Sequence, residues 1–219
     1  MMPQDKQNNN NNESHNESRT QYLIYLKPDD SARSNLRLIQ ERLRDTTLLN
    51  SYSDIPHMTI LGFYSESKTL KMSSLEYLES RLVTLFEKFA KTIAVNNPII
   101  EDVAITKYSH YGDRVVLNLE SSYLNELHTK CVDSFKSFIV LKGGICAEKN
   151  AELFRERYMY SLENYHPHIT LGKTSASDRE IATIDTYIDA FLGKNISFDE
   201  LILSKKEQNR WVLLSSLKL

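Results

Sequence analysis

Apolar and polar positions along the chain alternate in blocks whose period switches between that of a strand and that of a helix. Tyr22-Leu23-Ile24-Tyr25-Leu26 reads as a first strand. A helix is predicted from about Ser31 to Arg44, with Leu36, Ile39 and Leu43 on one stripe. A longer one, about Ser73 to Lys91, carries Leu75, Leu78, Leu82, Phe86 and Phe89 at helical spacing, and a third, about Tyr123 to Phe138, carries Leu124, Leu127, Cys131, Phe135 and Phe138. His128 is placed on the polar side of that helix and His110 in a solvated turn. A fourth helix is expected from about Ser177 to Leu192. Strand pairs with polar turns are predicted at Ile99–Lys107 with Arg114–Leu119, and at Ile196–Ser204 with Arg210–Leu217. Residues 1–20 hold an unbroken asparagine run, Asn8 to Asn12, and too little apolar surface to fold, so they read as a disordered tail. Residues 21–219 read as one folded domain.

Two short apolar runs are interrupted in the same way. Pro56-His57-Met58-Thr59 leads into Ile60, and Pro167-His168-Ile169-Thr170 leads into Leu171, with Gly62 and Gly172 just beyond. In a strand, residues two apart share a face. His57 and Thr59 therefore point one way and Met58 and Ile60 the other; His168 with Thr170, and Ile169 with Leu171, repeat the division. The apolar pairs suit packing under helices. The two imidazoles and two hydroxyls supply two proton-transfer groups and two hydrogen-bond donors, a set that suits a phosphoryl group between an entering and a leaving oxygen.

The elements following each motif also correspond. Ile105-Thr106-Lys107, a turn and Arg114-Val115-Val116-Leu117 match Leu203-Ser204-Lys205, a turn and Arg210-Trp211-Val212-Leu213. The expected unit is motif strand, helix, strand, strand, occurring twice as two facing lobes with His57 and His168 across one cleft.

Composition narrows the field. A formal charge of -2 gives no blanket attraction to nucleic acid, so contact with RNA would be local. No run approaches the roughly 20 apolar residues of a membrane span, and no secretory leader is evident. Two cysteines, Cys131 and Cys146, point to a reducing, intracellular setting, with the cytoplasm as the default and a single disulfide as the alternative.

The paired His-x-Thr-apolar motifs, about a hundred residues apart and each on a strand, resemble the 2H phosphoesterase superfamily over essentially all of residues 21–219. Tyr165-His166-Pro167-His168-Ile169-Thr170-Leu171 resembles the eukaryotic cyclic phosphodiesterases. His57-Met58-Thr59-Ile60-Leu61-Gly62-Phe63 resembles the RNA 2',3'-cyclic phosphodiesterases once called 2'-5' RNA ligases. The resemblance implies an α+β fold, bilobal and pseudo-twofold, with two antiparallel sheets lining a central cleft and helices outside. It implies hydrolysis of a 2',3'-cyclic phosphodiester to a phosphomonoester, usually the 2'-phosphate, without metal or other cofactor. Carried over residue by residue, His57 and His168 are acid and base and Thr59 and Thr170 bind phosphate. The plant members suggest His168 as base and His57 as acid. The expected partner is a mononucleotide, an ADP-ribose cyclic phosphate or an RNA 3' end, met by a monomeric protein.

Other readings stand beside this one. His166, His168 and His57 could form a three-histidine zinc set, although no carboxylate nearby completes it. Ligase-like or 3'-exonuclease activity belongs to the same superfamily, although the exonuclease branch carries His-x-Ser. A binding module without catalysis would tolerate loss of a histidine, and both are intact. Tyr165 and Trp211, with Tyr108 and Tyr111, are candidates to stack on a base; Lys107 and Lys205, with Arg114, Lys173 and Arg210, are candidates to contact phosphate. Arg155 and Arg157 lie where a lid could form.

Overall fold

The computed structural model describes residues 19–46, 49–51, 56–96, 99–157, 165–175 and 188–219. Residues 1–18 of the polar tail and most of the expected fourth helix fall outside the described residues, and Thr20, expected at the end of the tail, already belongs to the first strand. Strand β1 (Thr20–Pro28) leads into helix α1 (Asp30–Asp45), whose Asp29 cap accepts a hydrogen bond from the Ala32 amide at 2.7 Å. Then come β2 (Met58–Ser65), α2 (Leu75–Asn96), the hairpin β3 (Ile100–Tyr111) and β4 (Arg114–Glu120), and α3 (Ser122–Phe135). A small hairpin, β5 (Val140–Leu141) and β6 (Ile145–Cys146), precedes the short helix α4 (Ala151–Arg157), which holds Arg155 and Arg157. The chain closes with β7 (His168–Lys173), β8 (Asn195–Glu207) and β9 (Arg210–Lys218).

The stripes read from the sequence are the buried ones. Leu36, Ile39 and Leu43 of α1, Leu78, Leu82, Phe86 and Phe89 of α2, and Leu124, Leu127, Cys131 and Phe135 of α3 all lie in one core. Leu75 alone among the predicted stripe positions is exposed, at the first turn of α2. His128 belongs with the buried set, because it follows Leu124 by four positions and so shares its face. His110 sits at the end of β3, half-buried, with its ring edge-on to Tyr108. Cys131 and Cys146 are both buried free thiols.

Every pairing in the main sheet is antiparallel, and the pairings close a circuit: β1–β2–β7–β4–β3–β8 and back to β1, with β9 on the outer edge of β8. The circuit is two sheets, β2-β1-β8-β9 and β7-β4-β3, joined through β2–β7 and β3–β8. Helix α1 packs on β1 and β7, α3 on β2, and α2 on β8 and β9, so the helices lie on the outside of the circuit. Side chains facing away from the helices line the hollow between the sheets.

The repeat differs from the one expected. The strand flanking each motif strand precedes it in sequence: β1 flanks β2 and β4 flanks β7. Among the described residues the shared unit is strand, helix, motif strand and closing strand: β1-α1-β2 with β3 after α2, and β4-α3-β7 with β8. The last strand of each unit crosses to the other sheet, β3 pairing with β4 and β8 with β1. The two hairpins that looked alike are therefore unlike in place, since β4 touches a motif strand and β9 only extends an edge.

Candidate active site

The two motif strands meet at one described pair, Met58 opposite Ile169. Both side chains are fully buried, as are Ile60 and Leu171, while His57, Thr59, His168 and Thr170 are half-buried on the opposite face. An antiparallel pair centred on Met58 and Ile169 sets His57 level with Thr170 and Thr59 level with His168. The histidines occupy one diagonal of a four-residue array and the threonines the other. In a regular ladder such diagonal neighbours are about 7–8 Å apart. This is enough for a phosphoryl group to sit between two imidazoles.

Each motif strand is bulged at the residue after its threonine. On β2, Tyr25 faces Thr59 and Ile24 faces Leu61, leaving Ile60 over; on β7, Val116 faces Thr170 and Val115 faces Gly172, leaving Leu171 over. Beyond each bulge the inside-outside alternation resets, so Leu61 and Phe63 return to the core. Gly172 is required where it stands: a Cβ there would lie 2.4 Å from the Ser51 carbonyl oxygen, which accepts the Lys173 amide at 2.7 Å.

The two histidines have different neighbours. His168 Nδ1 lies 2.8 Å from the His166 carbonyl oxygen, which can only accept, so Nδ1 carries the hydrogen and Nε2 presents its lone pair. Burial holds the His168 pKa below the usual imidazole value; the His166 carbonyl raises it, and the nearby Arg114 and His166 charges lower it further. A neutral imidazole with a free Nε2 is equipped to take a proton. Tyr111 stands edge-on to His168, ring centroids 5.2 Å apart, and is itself exposed. His57 is covered by Tyr25, centroids 4.7 Å apart, whose phenol burial pushes to a higher pKa.

Asn118 is opposite His168 on β4 and points to the same hollow, where its amide donates to Ser109 Oγ at 2.8 Å and to the Lys107 carbonyl at 3.3 Å. The sequence reading missed Asn118, although a polar residue in the otherwise apolar run Val115–Leu119 was a usable signal. Lys107 is exposed and pairs with Asn118, in the row that contains His168.

Two expected substrate contacts are not placed to serve. Tyr165 is buried, its ring stacked on His128 at 3.8 Å between centroids and its hydroxyl donating to the Thr59 carbonyl at 3.3 Å. One ring face and the hydroxyl serve the fold, and the buried ring is not presented to a base. Lys205 keeps the parity of the buried Leu201 and Leu203 and so faces α2, where it pairs with Glu79 at 2.9 Å and with Glu207 at 2.7 Å. Trp211 is opposite Lys206, on the other face from Lys205, 41% exposed but on the outermost strand. Among the described residues no group of three or more His, Cys, Asp or Glu is placed to hold a metal ion.

No family model and no curated protein matches the sequence. Solved structures do. TT0787 of Thermus thermophilus is 12% identical, with 91% of this chain and 97% of that one covered at a TM-score of 0.57. E. coli LigT complexed with 3'-AMP is 10% identical over 92% and 99%, TM-score 0.52, and a protein described as a phosphoesterase is 12% identical over 92% and 99%, TM-score 0.51. The chain has the 2H phosphoesterase fold. In the 2H fold seen here, both His-x-Thr motifs lie on the strands where the two sheets meet. No helix among the described residues is long and apolar enough to cross a membrane.

Proposed function

We propose that the protein hydrolyses 2',3'-cyclic phosphodiesters to phosphomonoesters, leaving the 2'-phosphate. The observation that carries this reading is the diagonal array of two histidines and two threonines about the Met58–Ile169 pair. His168 Nε2 takes a proton from water as the oxygen attacks phosphorus. The bond from phosphorus to the ribose 3'-oxygen breaks in line, and His57 protonates the departing oxygen. Thr59 and Thr170 donate to the two nonbridging oxygens, whose charge grows in the transition state. The base assignment is supported by the His166 carbonyl, which fixes the His168 tautomer, and by the burial that disfavours the charged ring. The nucleotide in the LigT complex, 3'-AMP, is of the size and chemistry such a cleft would take. Exposed Tyr111 and Lys107 would meet the rest of the nucleotide or RNA end.

The test is turnover of a 2',3'-cyclic mononucleotide, an ADP-ribose cyclic phosphate and an RNA ending in a cyclic phosphate, each with and without EDTA. Hydrolysis of at least one, undiminished by chelation, is expected. Tight binding of all three without turnover would make the protein a nucleotide-binding module instead. Loss on chelation with recovery on added zinc would favour the three-histidine site.

A further inference from the structure

The two bulges beside the site are held by side chains from outside their own repeat. Gln40, on α1 of the first repeat, is 1% exposed, and its Nε2 donates to the Leu171 carbonyl oxygen at 2.7 Å. Leu171 is the extra residue of the β7 bulge, directly after Thr170. His128, on α3 of the second repeat, is also 1% exposed, and its Nδ1 lies 2.8 Å from the Ile60 carbonyl oxygen. Ile60 is the extra residue of the β2 bulge, directly after Thr59. The correspondence is complete at the level of position: first helix of one repeat, buried donor, bulge carbonyl of the other repeat's motif strand. It is not one of residue type, since an amide does on one side what an imidazole does on the other.

The physics favours a purpose for this arrangement. A bulge takes a residue out of the ladder and re-aims the side chains beside it. Its carbonyl, buried, needs a donor from somewhere, and leaving it without one is costly. Burying an amide and an imidazole in an otherwise apolar helix face is itself costly unless both are bonded. A merely structural solution could have used regular strands with no bulge and no buried polar group. Instead each donor lands one residue from a threonine and three from a histidine of the array. On β2 the hold is doubled, because Tyr165, stacked on His128, also donates to the Thr59 carbonyl.

We propose that Gln40 and His128 are positioning residues: each hydrogen-bonds the bulge carbonyl of the opposite repeat's motif strand and thereby sets the direction of that strand's histidine and threonine. Gln40 acts on His168 and Thr170, and His128 acts on His57 and Thr59. Each lobe thus aligns the other's half of the site, so the array forms only when both lobes are docked. The catalytic consequence rests on the hydrolysis proposed above, but the alignment itself does not.

The experiment uses the full chain, with the ring signals of His57 and His168 followed by NMR through a pH titration in Gln40→Met and His128→Phe. Methionine keeps the length of glutamine without the donor; phenylalanine keeps the ring on Tyr165 without the donor. Gln40→Met is expected to move the titration of His168 and leave His57 in place, and His128→Phe to do the reverse. His128→Asn, which offers an amide near the place of Nδ1, is expected to restore the wild-type titration of His57. If either apolar variant does not fold, Gln40→Leu or His128→Leu is read by the same criterion. Titrations of both site histidines unchanged in a folded variant, or equally shifted in both variants, would overturn the proposal. With a cyclic nucleotide as substrate, each apolar variant should lose roughly 10–100-fold in kcat with KM nearly unchanged, the scale expected when reacting groups are misplaced by less than about 1 Å. Should no cyclic phosphate be hydrolysed at all, the proposed function fails while the NMR result still decides the positioning.

Discussion

The strands β2 and β7 carry the same four-residue pattern into different surroundings. On β2, His57 lies under Tyr25, and the carbonyls of Thr59 and Ile60 are held by Tyr165 and His128. Within the same face, Lys27 of β1 is locked to Glu200 of β8 at 2.6 Å. On β7, His168 lies at the edge of exposed Tyr111, within the field of Arg114, and its Nδ1 hydrogen is committed to the chain itself. The β7 histidine is therefore kept neutral with one nitrogen open, as a base needs to be. What a doubled motif supplies is two imidazoles; in the proposed mechanism the desolvation, the carbonyl and the cation at His168 fit that ring for the base.

Removing either histidine tests the comparison most severely. His57→Ala and His168→Ala should each lower kcat on the order of 10²–10⁴-fold, with the double variant little worse than the worse single one, since the pair acts as a unit. The roles separate with the leaving group. A diester that expels a nitrophenolate needs no proton, so activity on it should recover in His57→Ala and stay low in His168→Ala. The opposite pattern would exchange acid and base, and near-normal turnover of the cyclic nucleotide by either variant would remove that histidine from the mechanism.

The threonines should be more nearly equal than the histidines, since each offers the same hydroxyl to an equivalent oxygen. Thr59→Val and Thr170→Val remove that donor at constant shape and should each cost about 2–4 kcal/mol at the transition state. Serine at either place keeps the hydroxyl and should cost much less. Valine variants as active as wild type at both positions would reduce the threonines to strand formers.

The contrast between the lobes was only half legible in the sequence. Alternation gave the face shared by His57 and Thr59, and by His168 and Thr170, because a strand's period is two whatever the context. The helix stripes were readable for the same reason, except where a polar residue held a stripe position. His128 follows Leu124 by four but reads as polar-side from its chemistry alone, and Gln40, which follows Leu36 by four, was not singled out; both are buried on bulge carbonyls. Bulges were the larger loss. The one at Thr106 resets the alternation of β3, sending Tyr108 to the core and Lys107, Ser109 and Tyr111 to the hollow. On β8 the parity runs unbroken from Leu201 to Lys205, so the lysine that looked equivalent to Lys107 faces α2. Local sequence does not mark an extra residue in a ladder, and one such residue inverts every side chain that follows. Lys205→Met should accordingly leave KM for a cyclic nucleotide unchanged, whereas Lys107→Met should raise it a few-fold. A raised KM in Lys205→Met would put that lysine back at the site.

The smallest expected effect is also the finest probe of the difference between the two strands. Arg114 disfavours the His168 imidazolium, so Arg114→Gln should raise the His168 pKa toward the usual imidazole value, though not fully, because burial is the larger cause and is untouched. The acid limb of kcat/KM reports the free enzyme's base and should move to higher pH. Below neutrality the variant should then be less active than wild type, and on the alkaline side the two should agree. Raising the salt concentration should move the wild type toward the variant, since an exposed guanidinium is screened. Stability carries the same sign. His168 binds a proton less readily in the folded chain than in the unfolded one, so its contribution is fully present above the ordinary imidazole pKa and lost as pH falls through the lowered one. Arg114→Gln should therefore flatten the loss of stability on mild acidification, read as the change in urea midpoint with pH. An acid limb that stays in place, or moves to lower pH, would mean that Arg114 does not act on His168, and the cation would drop out of what makes β7 the basic strand.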